Sequence, residues 1–304
     1  MTTNPIRPCQ AKKPSECPYH GATIKMDAAL AKGDMETYLR VKSAFDEAAE
    51  VKRLEASESA QFGAASYEHT GKKMTNESGV VLYQIKAKWD IPFLNVKKGD
   101  VGGWVDPTPL DNGEMRILGN AWVSHNAQLY GQAQISDSAL ISGKAKVYGN
   151  AKVSGWAKVY GKAEVLEGSK VSHGAVIHGG AQILGRATIS GNAEVYDEAI
   201  ISGTAKVYDY AKVYNKAQVF GEAQVSDDAQ VYGHAQVSNN AGVHGTAKAY
   251  GHAQVYENAR LFGGSTVYDE AQIFGSAMVW GDAKVFGDGR VHNDTELSGN
   301  DAVS

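Results

Sequence analysis

The sequence predicts a mainly β protein, a left-handed parallel β-helix of about 11 coils with a small N-terminal helical segment. Three observations carry this prediction. Every sixth residue from Ile117 to Val303 is Val, Ile or Leu, with Ala249 as the one exception. The residue two positions earlier is small, and it is Ala at 26 of the 31 positions from Ala121 to Asp301. The residue two positions later is usually Gly and otherwise mostly Asp or Asn, which are turn formers.

The repeating unit, A-x-V-x-G-x, has the geometry of a short strand followed by a turn. Alternate residues of a strand point the same way, so Ala and the aliphatic residue share one interior. A helical period of 3.6 cannot hold a strict period of six. Three strands and three turns close a triangular coil of 18 residues, and the predicted stack is roughly 50 Å long at ~4.8 Å per coil. A right-handed β-helix fits less well because its coils are longer and irregular.

Five segments follow one another along the chain. Residues 1–25 read as an extended, proline-containing segment, and residues 26–60 read as helix with an approximate apolar stripe. Residues 61–79 look like a polar linker. Residues 80–116 alternate like strands, and Trp89, Phe93 and Trp104 are expected to close the start of the solenoid. Residues 117–304 form the β-helix, and the absence of insertions from Ile117 to Val303 predicts that no loop projects from it.

The first segment carries a candidate metal site. Cys9, Cys17 and His20 have the spacing C-x7-C-x2-H, which supplies three ligands, whereas structural zinc takes four. The fourth ligand is His69, a residue of a partner chain, or absent. Zinc, free thiols and a Cys9–Cys17 disulfide are the three alternatives.

The outward-facing residues form columns, because residues 18 apart lie directly above one another. One column is aromatic over most of its length. We interpret it as a stabilising stack, as a face for self-association into a dimer or trimer or for another protein, or as a platform for ligands such as sugar rings. The candidate binding face consists of Tyr160, His178, Tyr196, Tyr214, Tyr232, Tyr250, Tyr268 and Phe286.

Histidines are the candidate catalytic residues. His173 and His178 lie beside a glycine-containing stretch and are predicted to point outward, but no carboxylate is spaced to tune either ring. His234 and His252 stack 18 residues apart, a spacing that allows a shared metal, although solvated surface histidines are the simpler interpretation.

Composition restricts the classes of function. The net charge of −4 gives no global basic field, so nucleic acid and anionic membranes are not expected partners. No apolar run is long enough for a membrane span, and no signal peptide is visible near Met1. Two cysteines suit a reducing compartment, which predicts a cytoplasmic protein.

The repeat continues to Val303, which predicts an uncovered last coil, but nearby acidic residues favour lateral over end-to-end assembly.

Residues 80–304 resemble the hexapeptide-repeat β-helix proteins of bacteria and phages. The resemblance rests on YQIKAKWDIPFLNVKKGDVGGWV (83–105), on GNAWVSHNA (119–127) and on units such as AKVYGN (145–150). The run CQAKKPSECPYHG (9–21) is similar to a short Cys/His cassette at the start of actinobacterial and phage proteins. These resemblances imply a phage or mobile-element origin, and virion association if the protein is structural.

Some of the hexapeptide-repeat proteins that the chain resembles carry a transferase label. Membership of the hexapeptide acyltransferases implies a trimer that binds acyl-CoA between prisms and a catalytic histidine, often beside an extruded loop, which this sequence lacks. Three hypotheses therefore stand: a non-enzymatic scaffold or binding protein, an acyltransferase using acyl-CoA, and a protein that sequesters a nucleotide or sugar between subunits. The first is favoured because the repeat is uninterrupted and one face is aromatic.

Overall fold

The computed structural model describes residues 65–304 as a parallel β-solenoid of about ten turns with an antiparallel lead-in. The parallel β-helix and its period of 18 are thereby confirmed, since each strand pairs in register with the strand 18 residues further on, as in Val159 with Ile177. The left hand of the coil stays a prediction. The predicted helical segment 26–60 lies outside the described residues.

The lead-in consists of three antiparallel strands and one short helix. Its elements are β1 (Tyr67–Thr75), β2 (Val81–Ala87), a 3-10 helix (Pro92–Leu94) and β3 (Val101–Val105). β1 pairs with β2 and β2 with β3, and β3 then pairs in parallel with the first coil. This antiparallel hairpin extends one of the three solenoid sheets.

Sheet A contains this lead-in, and two further sheets complete the triangle. After β3, sheet A continues through β5 (Gln128–Leu129), β8 (Lys146–Val147), β11 (Glu164–Val165), β14 (Gln182–Ile183), β17 (Ile200–Ile201), β20 (Gln218–Val219), β23 (Gln236–Val237), β26 (Gln254–Val255), β29 (Gln272–Ile273) and β32 (Arg290–Val291). Sheet B contains β4 (Trp122–Val123), β7 (Leu140–Ile141), β10 (Lys158–Val159), β13 (Val176–Ile177), β16 (Glu194–Val195), β19 (Lys212–Val213), β22 (Gln230–Val231), β25 (Lys248–Ala249), β28 (Thr266–Val267), β31 (Lys284–Val285) and β34 (Ala302–Val303). Sheet C contains β6 (Gln134–Ile135), β9 (Lys152–Val153), β12 (Lys170–Val171), β15 (Thr188–Ile189), β18 (Lys206–Val207), β21 (Gln224–Val225), β24 (Gly242–Val243), β27 (Arg260–Leu261), β30 (Met278–Val279) and β33 (Glu296–Leu297).

The A-x-V-x part of the repeat predicts strands of about four residues, and the strands of the solenoid are shorter. Each has two residues, because the alanine before the strand and the outward residue after it already belong to the bends. The alanine and the aliphatic residue of the unit are nevertheless both fully buried through most of the stack, as predicted. The interior is therefore a column of alternating small and branched side chains.

The turns explain why one position in each six-residue unit is usually glycine. The second residue after each aliphatic has a φ between 56° and 73° throughout the solenoid, the left-handed region in which glycine is unstrained. At six of the seven places where Asp or Glu takes this position, its carboxylate accepts a hydrogen bond from the backbone N–H one coil further on. Asp227 Oδ2 lies 2.8 Å from the Gly245 nitrogen, and Glu257 Oε2 lies 2.7 Å from the Gly275 nitrogen. An acidic residue thus offsets part of the cost of the left-handed turn.

The linker prediction for residues 61–79 is wrong for residues 67–75, which form β1. None of the nine residues of this edge strand is fully buried, and polar residues such as Glu68 and Lys72 face solvent. Its polar composition therefore resembles that of a linker. The hairpin turn that follows is held by Asn76, whose Oδ1 accepts hydrogen bonds from the backbone N–H groups of Ser78 and Val80.

Of the three aromatic residues predicted to close the start of the solenoid, Trp89 and Trp104 are half-buried, and Trp104 lies in β3 against the first coil, but Phe93 is not buried. Phe93 is 65% exposed, and it packs edge to face against Trp156, which is 56% exposed, with 5.7 Å between ring centroids. Trp122 is buried instead. Gly102 allows β3 to approach it, since an added Cβ would lie 2.7 Å from the indole and 2.6 Å from the Val123 carbonyl oxygen.

Arg116 is a buried cation at the same end of the solenoid. Its guanidinium donates hydrogen bonds to the carbonyl oxygens of Asp106, Thr108 and Gly131, at 3.2, 2.8 and 2.6 Å, and lies 3.8 Å from the Asp106 carboxylate. Backbone groups that have no strand partner in the irregular segment 106–116 are thereby satisfied. No pattern in the sequence predicts this role for Arg116.

Candidate functional site: an aromatic ladder

The aromatic column predicted from the sequence is a continuous stack on sheet B. Its eight rings each follow a strand directly, and neighbouring centroids lie 4.8–5.4 Å apart with interplanar angles of 2–12°. We call this stack the ladder. It consists of Tyr160, His178, Tyr196, Tyr214, Tyr232, Tyr250, Tyr268 and Phe286.

The ladder forms because in-register parallel strands place equivalent side chains one coil apart. A coil spacing close to 4.8 Å is also a favourable distance for offset aromatic stacking. Each inner ring has a neighbour on both faces, so only ring edges and hydroxyl groups reach the surface, and most rings are half-buried. The inner rings therefore offer an amphipathic strip of edges, with no free ring face on which a sugar or base would stack.

Charged residues border the ladder on the strand side and at the corner that follows it. Lys212 Nζ lies 3.1 Å from Glu194 Oε2, and Lys216 Nζ lies 3.9 Å from Glu198 Oε2. The corner residue two positions after each rung is basic at one end, at Lys162, and acidic at the other, at Asp288. The corner side of the ladder therefore has opposite charges at its two ends, whereas the strand side has a lysine at each end, Lys158 and Lys284.

Burial favours the neutral form of four ladder tyrosines, Tyr196, Tyr214, Tyr232 and Tyr250. Burial raises the pKa of Tyr214 and Tyr232 above the ordinary value, and neighbouring tyrosines add to the shift. On sheet A, burial and then the Glu164 carboxylate raise the pKa of Tyr148 to about 12. The hydroxyl groups of these tyrosines thus stay uncharged at physiological pH.

These shifts predict a loss of stability in alkali. A phenol with a raised pKa in the folded state stabilises the fold fully below its unfolded pKa of about 10, and that contribution is lost as the pH rises through the folded pKa. We expect thermal stability to change little from this source below pH ~10 and to fall above it. Ultraviolet titration of phenolate should show Tyr148 ionising late, and earlier in Glu164→Gln. A Tyr148 that ionises in the folded protein with the ordinary tyrosine pKa of about 10 would contradict this prediction.

The two candidate catalytic histidines occupy different kinds of position. His173 is in a left-handed turn with φ 59°, and its Nδ1 lies 3.0 Å from the Ser172 hydroxyl. His178 is a rung of the ladder, stacked at 4.9 Å between Tyr160 and Tyr196. Among the described residues, neither ring makes a hydrogen bond to a carboxylate. A catalytic role for either histidine stays a prediction.

His234 and His252 stack as their spacing predicts, with 4.8 Å between ring centroids and an interplanar angle of 2°. Within residues 65–304, no group of three or more His, Cys, Asp or Glu side chains is placed to hold a metal ion. Cys9, Cys17 and His20 lie outside the described residues. His69, the fourth ligand considered, lies edge to face against Tyr67 and Tyr83, at 5.7 and 5.5 Å.

A cluster on sheet C was missed by sequence analysis. The Ser226 hydroxyl lies 2.8 Å from His244 Nδ1 and 3.2 Å from the Asp227 carboxylate. Burial and the nearby Arg260 lower the pKa of His244. The ring covers Gly242, where an added Cβ would meet Nε2. The signal in the sequence is this glycine, which replaces the longer side chains of the column before and after it.

The fold and the ladder define the class of protein, a β-solenoid repeat protein. In agreement, the family model described as YdcK Beta solenoid repeat matches residues 229–245, which include one whole strand of each sheet, β22, β23 and β24. The chain is similar to that repeat over this stretch. No curated protein matches the chain. Within residues 65–304, no helix has the length and apolar character needed to cross a bilayer.

Proposed function

We propose that the protein is a non-enzymatic scaffold of phage or mobile-element origin that self-associates and binds a partner through the ladder. The observation that carries this proposal is the continuous run of eight half-exposed rings on one face. The run is about 35 Å long. A strip of that length reaches about 800 Å² per subunit, the size of a standard interface, if it is roughly 23 Å wide.

Tyrosine suits this role because its edge combines apolar area with a hydroxyl group, and interfaces are enriched in it. The lead-in and the AKVYGN units, which resemble phage and bacterial β-helix proteins, support the proposed origin. With two cysteines, the chain suits the cytoplasm or a virion assembled there.

The charged border favours an antiparallel dimer. Most homo-oligomers have closed symmetry, and a twofold axis between the rungs Tyr214 and Tyr232 pairs every rung of one ladder with a rung of the other. In that register Lys162 faces Asp288 and Glu194 faces Lys248 across the interface. Lys158 meets Lys284 at the two ends, where both side chains are exposed and extend into solvent. A trimer of parallel prisms would instead bring like charges together.

A charge-reversal cycle tests this arrangement. Lys162→Glu and Asp288→Lys should each weaken the dimer about tenfold, since the contact occurs twice and each copy contributes roughly 0.7 kcal/mol. The double variant should recover the parent affinity, measured by sedimentation equilibrium at low salt. Lys206→Glu, on sheet C, is the matched control and should not change the dissociation constant. A double variant weaker than either single variant would contradict the antiparallel contact.

A further inference from the structure

The ladder ends at Tyr160 although its column continues for two more coils. Strand pairing of Val159 with Ile141, and of Ile141 with Val123, places Ser142 and then Ser124 in the next two rung positions. The inner rings have a ring on each face, whereas Tyr160 stacks on His178 on one face only. Tyr160 is 38% exposed, consistent with an uncovered second face. Two rung positions of the stack are therefore occupied by small side chains.

A groove of about 390 Å³ is lined by these two serines, and Tyr160 lies one coil beyond Ser142, outside the lining. Its floor includes Trp122 and Leu140 from sheet B, and its wall is formed by lead-in residues 94–96 and 100–101. Polar groups of Asn95, Asp100 and His125 lie around the apolar floor. The volume is within the range of about 300–1,000 Å³ that small-molecule sites show, and an apolar lining with a few polar groups is their usual composition.

We infer that this groove binds a small aromatic molecule whose planar ring takes the empty rung over Ser142 and stacks on Tyr160. The spacing of the ladder fixes the geometry, because a ring one coil below Tyr160 lies 4.8–5.4 Å from it, as every other rung does from its neighbour. Phenols and indoles are the expected class, since such molecules have a flat apolar body and a polar edge, as the ladder tyrosines have. The inference does not rest on self-association, which is tested at other positions.

The test uses p-cresol, the tyrosine side chain as a free molecule, and its saturated counterpart 4-methylcyclohexanol. Methyl NMR of the full chain should show saturable shifts at Leu94 and Leu140 with p-cresol in the millimolar range. 4-Methylcyclohexanol, which cannot stack, should bind at least tenfold more weakly. Absence of saturable shifts at these two leucines, or equal binding of the two molecules, would overturn the inference.

Two variants locate the ring. Ser142→Tyr fills the empty rung with a ring of the protein itself and should abolish p-cresol binding, while Tyr160→Ser removes the stacking partner and should weaken it at least tenfold. Ser190→Tyr is the matched control, because Ser190 precedes Tyr208 in a column of sheet C in the same way, and binding should be unchanged. If Ser142→Tyr does not fold, Tyr160→Ser carries the test. If neither Ser142→Tyr nor Tyr160→Ser changes the binding of p-cresol, the proposed site is refuted.

Discussion

Val207→Asp is expected to unfold the middle of the solenoid. Val207 is fully buried and its strand β18 pairs with β15 on one side and β21 on the other. A carboxylate there has no partner in the apolar column, and burial of such a group costs several kcal/mol. Each coil of a solenoid is stabilised mainly by its two neighbours, so both contacts weaken together. We expect a loss of about 4 kcal/mol or more in urea unfolding.

Lys206→Glu is the control for this experiment. Lys206 is the preceding residue of the same strand, but its side chain is exposed. A surface substitution of this kind should change the free energy of unfolding by about 0.5 kcal/mol or less. Equal losses in the two variants would mean that the inward and outward positions of the repeat are assigned wrongly.

Substitution of the two central rungs is expected to separate the subunits. Tyr214 and Tyr232 stack at 4.9 Å, and a twofold axis between them brings both pairs to the centre of the interface. Tyr214→Lys with Tyr232→Lys therefore places four lysines together at that point. Juxtaposed like charges cost several kcal/mol, so the dimer should weaken by at least about a hundredfold. Light scattering at micromolar concentration should then report the mass of one chain.

The matched control changes two aromatic residues of another face. Phe220 and Tyr256 follow strands of sheet A in nearby coils and have similar, intermediate exposure. Phe220→Lys with Tyr256→Lys adds the same charge and removes similar rings, but it leaves the ladder unchanged. The control should keep the parent mass. An oligomer that survives the ladder substitutions and dissociates in the control would assign the interface to sheet A.

The solenoid and the ladder are predictable because both depend on period alone. A strict period of six determines which side chains are buried, and a coil of 18 residues determines which rungs are neighbours, so Tyr196 and Tyr214 can be paired without coordinates. The lead-in has no such period. β1 is an edge strand with a polar face, and its pairing depends on β2 rather than on its own pattern.

Side-chain contacts between the coils and the lead-in also cannot be predicted from the sequence. Phe93 is an aromatic residue in an apolar run, which predicts burial, yet the turn of the 3-10 helix directs it to solvent beside Trp156. The groove over Ser142 exists because the lead-in happens to form its wall, and two serines in a column do not reveal that. The pairing of Ser226 with His244 is consistent with the 18-residue spacing, but the ring lies as it does because Gly242 leaves room.

The mass of the parent protein in solution tests the central claim, that the ladder joins two copies, most directly. Light scattering at micromolar concentration should give about twice the chain mass of 32.4 kDa, and dilution should shift the population toward one chain. The shift should occur at lower protein concentration as salt is added, because the charged border contributes to the contact. A mass of one chain that is constant across concentration and salt would contradict the account.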